Sequence, residues 1–302
     1  MARLYFTLII ILLIAKAGLV SAQIRINRSW QVSPFQDSIG DTKRFFGNFL
    51  FAAEANHGWF SEEDALTWTI RYHGFMELYR WGDRSLLGLY LGHELHANPF
   101  NDIYFNPRAA FWNESLLFYH QLASFYLKAG IEHRCRHDID NLDPPSPAMA
   151  NDYQGLGRII VLNSVLAGAS TKSFSISKDV SLTASGTFYY YLYAEDSREP
   201  QENQQGTWEN IIASTSLAYQ LKYSVSKILS VYQRSNLDYL FIREVDLPVN
   251  TRLELGISLQ GQKGRLNIFT GYEYFFDDVT SPIPRQSAMI FAGIRGGSLA
   301  FF

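Results

Sequence analysis

The clearest pattern in the chain is an alternation of apolar and polar residues with a period of two, seen most plainly from Val180 to Ala194. Leu182, Phe188 and Leu192 share one face of this stretch, and serine and threonine residues occupy much of the other. Because successive side chains of a β-strand point to opposite faces, the alternation predicts a strand with one apolar and one polar face. Similar windows recur and predict twelve strands, at 46–56, 65–80, 84–96, 104–117, 123–137, 156–168, 180–194, 208–223, 227–239, 249–260, 264–276 and 287–302.

The lengths of these strands and of their connections indicate a membrane barrel. Most of the strands exceed the roughly 9–11 residues that a tilted strand needs to cross a membrane. Outer-membrane barrels join their strands by short periplasmic turns and longer outer loops. Here short connections at 81–84, 224–226 and 261–264 contrast with long polar ones at 138–155, 195–207, 240–248 and 277–286. The sequence therefore predicts an all-β fold, a transmembrane antiparallel up-and-down β-barrel of about twelve strands over residues 46–302. A soluble periplasmic β-sandwich is the alternative.

Charged residues recur on the polar faces of the predicted strands, where they would point into the lumen. A barrel of about twelve strands is near the lower size limit for an open channel. We therefore expect these charges to pair with one another and fill the lumen rather than to line a narrow pore. The predicted inward set is Arg71, Glu77, Arg108, Glu114, Lys128, Arg158, Arg252, Glu254, Arg265 and Glu273.

The first 22 residues have the layout of a secretory signal peptide. Arg3 gives a positive start, an apolar stretch follows, and Val20-Ser21-Ala22 offers a cleavage site between small residues. We expect residues 1–22 to be removed on export and the mature protein to lie in the bacterial outer membrane. Residues 23–45 are mixed and polar, and we expect them to form a periplasmic lead-in or a short plug.

The last residues resemble the assembly signal of bacterial outer-membrane proteins, a final strand that ends in phenylalanine. Arg295, Gly297 and Phe302 match its polar, glycine and terminal aromatic positions, while Ala300 stands where a second large apolar residue is usual. The resemblance implies a Gram-negative outer-membrane protein with the barrel-assembly machinery as a partner. A net charge of only -3 gives no reason to expect nucleic acid as a partner.

Candidate chemistry is densest in the segment 131–140, which carries His133, Cys135 and His137. Continuing the alternation of its strand places these three side chains on the lipid face. The arrangement loosely resembles outer membrane phospholipase A, a twelve-stranded barrel whose catalytic His and Ser lie two residues apart on the lipid side, with an Asn on the following strand. The resemblance implies a lipid hydrolase with His133 as base, Cys135 as nucleophile and Asn163 as the histidine's partner. Cysteine replaces serine here, and the family's Ser-Asn-Gly run after the histidine is absent.

A metal site is a second hypothesis for the same segment. Imidazole, thiolate and carboxylate groups suit zinc or copper, and the candidate ligands are His93, His96, His133, His137 and Asp138. Calcium is a further candidate cofactor, since oxygen ligands are available in Asp138, Asp140, Asp143 and Asp152.

The third hypothesis is a polar rim, in which these residues meet water and lipopolysaccharide phosphates above the membrane plane. Outer-membrane lipids and lipopolysaccharide are then the expected partners. The sequence favours this hypothesis, a non-enzymatic outer-membrane barrel that serves as a narrow channel, binding or structural protein. A hydrolase using His133 and Cys135, and a metal-binding outer-membrane protein, are the alternatives.

Overall fold

The fold is a closed barrel of twelve antiparallel strands. The computed structural model describes residues 44–59, 68–97, 107–138, 158–198, 207–243, 249–277, 286–299 and 301. The barrel strands are β1 (Phe49–Trp59), β2 (Trp68–Trp81), β3 (Ser85–Ala97), β4 (Pro107–Gln121), β5 (Phe125–Asp138), β6 (Arg158–Thr171), β7 (Val180–Arg198), β8 (Ile211–Ser224), β9 (Leu229–Ile242), β10 (Val249–Gln260), β11 (Gly264–Phe275) and β12 (Ser287–Ser298). Two-residue strands at Arg44–Phe45 and Phe174–Ser175 and a 3-10 turn at Thr207–Asn210 complete the described secondary structure.

Each barrel strand pairs with its neighbours in the sequence, and the first and last strands close the sheet. The pairing of β12 with β1 runs from Ile290 opposite Trp59 to Gly297 opposite Ala52. The predicted up-and-down barrel of twelve strands is therefore confirmed. The single closed sheet excludes the β-sandwich alternative. No helix among the described residues is long and apolar enough to span a membrane.

The two faces of the barrel wall differ in chemistry, as β2 illustrates. Its inward residues Thr69, Arg71 and His73 are at most 6% exposed. The intervening residues Ile70 and Tyr72 are 36% and 42% exposed on the outer face. The same contrast recurs around the barrel, so the outer wall is largely apolar and the lumen is largely polar. This distribution is the reverse of the one expected for a water-soluble barrel and is typical of a membrane barrel.

Ion pairs cross the lumen and centre on Glu54 of β1. Its carboxylate accepts hydrogen bonds from Arg71 Nη1 at 2.7 Å, Arg252 Nη2 at 3.0 Å and Arg295 Nη2 at 2.7 Å. Arg252 also contacts Glu273, with 3.3 Å between Nη1 and Oε2. The network therefore ties β1, β2, β10, β11 and β12 together, and the expected pairing of lumen charges is observed for these residues. Further ion pairs join Arg71 to Glu94 and Arg295 to Glu254.

Apolar side chains fill another part of the lumen. Phe75, Leu117, Tyr189 and Trp208 belong to one buried cluster that draws on most of the barrel strands. Trp208 Nε1 donates a hydrogen bond to Asp277 Oδ2 at 3.1 Å. This bond links the 3-10 turn that precedes β8 to Asp277, two residues after the end of β11, so it connects two distant parts of the wall at the same end of the barrel.

The ends of the chain differ from the sequence prediction. The last strand ends at Ser298 rather than at residue 302, and Phe301 is buried in the same cluster as Phe75. The first barrel strand is Phe49–Trp59 rather than the predicted 46–56, and Phe46, which has a left-handed φ of 50°, lies before it. Arg44–Phe45, just before Phe46, forms a separate two-residue strand that pairs with β2. The predicted signal peptide, residues 23–43 of the predicted lead-in, and Phe302 lie outside the described residues.

Candidate active site on the outer wall

His133 and Cys135 lie on the outer face of β5, in the half of the strand that leads to the 139–157 connection. The neighbours Glu132, Arg134 and Arg136 are 7%, 8% and 3% exposed and face the lumen. Ile131 is 56% exposed on the other face, and the side chains at 133 and 135 share that face. His137 lies two residues further on the same side. The burial pattern agrees with the alternation that predicts these three residues on the lipid-facing side.

Asn163 lies directly beside His133. The two residues are register partners on β5 and β6, and His133 Nδ1 is 2.7 Å from Asn163 Oδ1. Because a carbonyl oxygen only accepts hydrogen bonds, this contact assigns the proton to Nδ1. In the neutral form of the ring, the lone pair then lies on Nε2.

The β5–β6 register brings these residues together, and the sequence does not reveal it. The ladder runs without a shift from Phe125 opposite Thr171 to His137 opposite Ile159. The strands are joined by the long 139–157 connection, which sets no register by its length. The sequence predicts that Asn163 lies on the following strand and on the outer face. It does not predict that Asn163 lies directly opposite His133 in the strand register.

Glu114 lies in the same row as His133, on the opposite face of the wall from the one that alternation predicts. It is exposed on the outer face of β4 and is the register partner of His133, whereas the sequence predicts it in the lumen. The adjacent Ser115 is 2% exposed and donates a hydrogen bond to Glu132 Oε2 at 3.3 Å, which fixes the inward parity. Asn113, Glu114 and Ser115 are all polar, so alternation alone could not assign their sides.

Aromatic rings line one side of the site. Trp112 is the register partner of Cys135 on β4. Its ring centroid lies 5.3 Å from that of His93 and 5.5 Å from that of His137. The indole therefore separates the two histidines rather than leaving them free to share a ligand.

On the other side, β7 adds two polar residues. Tyr193 is the register partner of Asn163, and its hydroxyl donates a hydrogen bond to Glu195 Oε2 at 2.6 Å. Glu195 in turn pairs with Val161, which is the register partner of Cys135. One row of the outer wall therefore carries Glu114, His133, Asn163 and Tyr193 on four adjacent strands.

The predicted metal ligands are not brought together. His96 is fully buried on the lumen side, with Nε2 2.6 Å from Glu94 Oε1, while His93 lies on the outer face beside Trp112. Strand alternation sends two residues three apart to opposite faces. Within the described ranges, no group of three or more His, Cys, Asp or Glu side chains is placed to hold a metal ion. The side chain of Asp138, together with Asp140, Asp143 and Asp152, lies outside the described part.

No protein-family model matches the chain, and no curated protein matches it in sequence. Solved structures of similar general form include outer membrane phospholipase A from Escherichia coli, with 10% identity and a TM-score of 0.47 over 84% of this chain and 98% of that one. An outer-membrane channel from Pseudomonas putida F1 has 12% identity and a TM-score of 0.45 over 88% of this chain and 100% of that one. The translocator domain of the autotransporter NalP from Neisseria meningitidis has 10% identity and a TM-score of 0.43 over 87% of this chain and 90% of that one. At these identities and scores the comparisons assign no function to the chain.

Proposed function

We propose that this protein is a bacterial outer-membrane β-barrel whose outer wall hydrolyses lipids. Membrane placement is supported by the apolar outer wall and by the short turns at one end of the barrel. Exposed aromatic residues at strand ends, among them Trp59, Trp81 and Phe241, fit the interfacial girdles of such barrels. Lipids of the outer membrane and the barrel-assembly machinery are the partners that this placement entails.

The observation that most directly supports a hydrolase function is the 2.7 Å contact between His133 Nδ1 and Asn163 Oδ1 on the lipid-facing wall. A polar group turned toward lipid is costly, and such groups are commonly retained for function. A histidine oriented by a hydrogen bond at one nitrogen, with a thiol two residues away on the same face, supplies the two groups that a base-activated nucleophile needs. The resemblance to the phospholipase pattern therefore extends to the histidine–asparagine pairing.

The reaction that fits this arrangement is ester hydrolysis through a thioester. His133 Nε2 accepts the Cys135 thiol proton as Sγ attacks the carbonyl carbon of an acyl ester. The tetrahedral intermediate then expels the alkoxide of the lysolipid, which receives that proton from His133, and a thioester between Cys135 and the fatty acyl chain remains. Water, deprotonated by His133, then attacks the thioester carbonyl. The thiolate leaves and recovers its proton, and a free fatty acid is released.

A second candidate is a non-enzymatic binding or structural barrel, and the lumen favours it. The ion pairs around Glu54 and the apolar cluster that includes Trp208 occupy the interior, which supports a structural lumen more than an open channel. In that case the outer-wall histidines and Trp112 would anchor the barrel at the lipid headgroups.

The experiment that separates the two candidates is lipid turnover by the refolded wild-type barrel and by His133→Ala. Mixed phospholipids and lipopolysaccharide are supplied in detergent micelles, and released fatty acids and lysolipids are followed by mass spectrometry. We expect turnover by the wild type and its loss in His133→Ala, with unchanged heat-modifiable migration on a gel. No turnover by a correctly folded wild type would overturn the hydrolase and leave the binding or structural barrel.

A further inference from the structure

The outer wall around the candidate site has an uneven distribution of charge. Over β3 to β7, the described Lys and Arg side chains are Lys128, Arg134 and Arg136, and all three follow the inward alternation of β5. The acidic side chains on the outer face of the same strands are Glu114 and Glu195. The described lipid-facing surface of these strands therefore presents carboxylates and no ammonium or guanidinium group.

The two carboxylates flank the proposed reaction centre. Glu114 is the register partner of His133. Glu195 lies on the same row as Cys135, with Val161 between them, so the two are separated by two interstrand spacings, about 10 Å. In an ethanolamine or choline glycerophospholipid, the ammonium group is joined to the acyl ester through the phosphate and glycerol. This linkage spans a comparable distance when it is extended.

The local hydrogen bond also suits Glu195 for binding a cation. The hydroxyl of Tyr193 donates to Glu195 Oε2, which orients the carboxylate and leaves Oε1 for another donor. No ion pair to Glu195 or Glu114 is found among the described residues. The described part of the outer wall therefore supplies no cation to these two carboxylates, and the headgroup of a bound lipid could supply one.

We propose that the outer-wall site selects lipids with an ammonium headgroup, which Glu195 binds while the acyl ester lies at Cys135. The proposal rests on the hydrolase function above and names its substrate class. Lipids whose headgroup carries only negative charge, such as phosphatidylglycerol and the phosphorylated lipid of lipopolysaccharide, are disfavoured by both carboxylates. A zwitterionic lipid brings its own cation to the site.

The test measures lipid retention apart from turnover. Refolded Cys135→Ala is equilibrated with equal amounts of phosphatidylethanolamine and its N-acetylated form, which keeps the shape of the headgroup but lacks the ammonium. Retained lipids are counted by native mass spectrometry. We expect an excess of the ammonium lipid of about three- to fivefold, the effect of one solvent-accessible ion pair.

Two variants that each remove one negative charge test whether the preference for the ammonium lipid depends on Glu195. Adding Glu195→Gln to Cys135→Ala removes the excess, whereas adding Asp179→Asn preserves it, since Asp179 lies in the turn before β7 at the opposite end of the barrel. Equal retention of the two lipids by Cys135→Ala, or an excess that survives Glu195→Gln, would overturn the proposal.

Turnover of the same two lipids by the wild type distinguishes this proposal from the proposed function. Hydrolysis of both lipids at equal rates would support the hydrolase and overturn the headgroup selection. Selective retention without hydrolysis would overturn the hydrolase and support headgroup recognition by a binding barrel.

Discussion

The lumen and the outer wall both hold buried or half-buried polar side chains, but they satisfy them differently. In the lumen, the Glu54 carboxylate accepts from three arginines, and each of these arginines contacts a second carboxylate. On the outer wall, Asn163 is the hydrogen-bond partner of His133 among the described residues, and none of these residues forms a hydrogen bond with Nε2. The ion pairs in the lumen compensate the buried charges and link strands across it, so their role is structural. A polar group on a lipid-facing wall, by contrast, is costly and is commonly retained for a function, and the proposed function rests on this difference.

The largest expected effect is on the outer wall, at Cys135. Cys135→Ala should lower lipid turnover by a factor on the order of 10³ or more, because it removes the nucleophile. Cys135→Ser should retain part of the activity, since the hydroxyl can occupy the same place beside His133. Both variants are assayed by fatty-acid release. Full turnover by Cys135→Ala would assign the chemistry to another group.

The next effect is on the lumen, at Glu54. Glu54→Gln removes the charge shared by Arg71, Arg252 and Arg295, and leaves these buried guanidinium groups less compensated. We expect the free energy of unfolding to fall by about 3–5 kcal/mol, measured by urea unfolding of the refolded barrel in lipid vesicles. Turnover per folded molecule should stay at the wild-type value at low temperature. A loss of turnover by folded Glu54→Gln would mean that the reaction on the outer wall depends on the ion pairs in the lumen.

A smaller effect is expected at Asn163, which positions the histidine. Asn163→Ala should lower kcat by about 10- to 100-fold, since the ring of His133 loses the partner that fixes its tautomer. Asn163→Asp should recover much of this loss, because a carboxylate oxygen also accepts from Nδ1–H. An unchanged rate in Asn163→Ala would show that the observed hydrogen bond serves stability alone. The three rates are compared at saturating lipid.

The smallest effect tests whether any polar pair on the outer wall matters for turnover. Gln233 lies on the outer face of β9, and its side-chain amide donates to the Tyr219 hydroxyl at 2.7 Å. Gln233→Leu should change the free energy of unfolding by about 0.5–1.5 kcal/mol and leave fatty-acid release unaltered. A large loss of turnover here would indicate that activity depends on the outer wall as a whole rather than on the strands around His133.

Much of the fold could be predicted from the sequence because alternation is a local property. Each of the twelve strands exists close to its predicted position, and the sides of His133, Cys135 and His137 follow from their spacing. The prediction was wrong where local polarity was ambiguous, as at Glu114, and where the chain bends away from the ladder, as at Phe301. At the candidate site, the spacing of His133 and Cys135 could be predicted, whereas the exact level of Asn163 could not.

By itself, the sequence determined that this is a β-barrel with an apolar outer face. The alternation of side chains and the length of each strand are local properties that can be read from each segment of the chain. Only the tertiary structure decided which residues meet across strands. The level of Asn163 opposite His133 and the contact of Arg252 with Glu54 depend on register and on closure of the sheet. Register is set by the summed pairing and packing of whole strands, and closure joins β12 to β1, so neither is encoded in any single window of the chain.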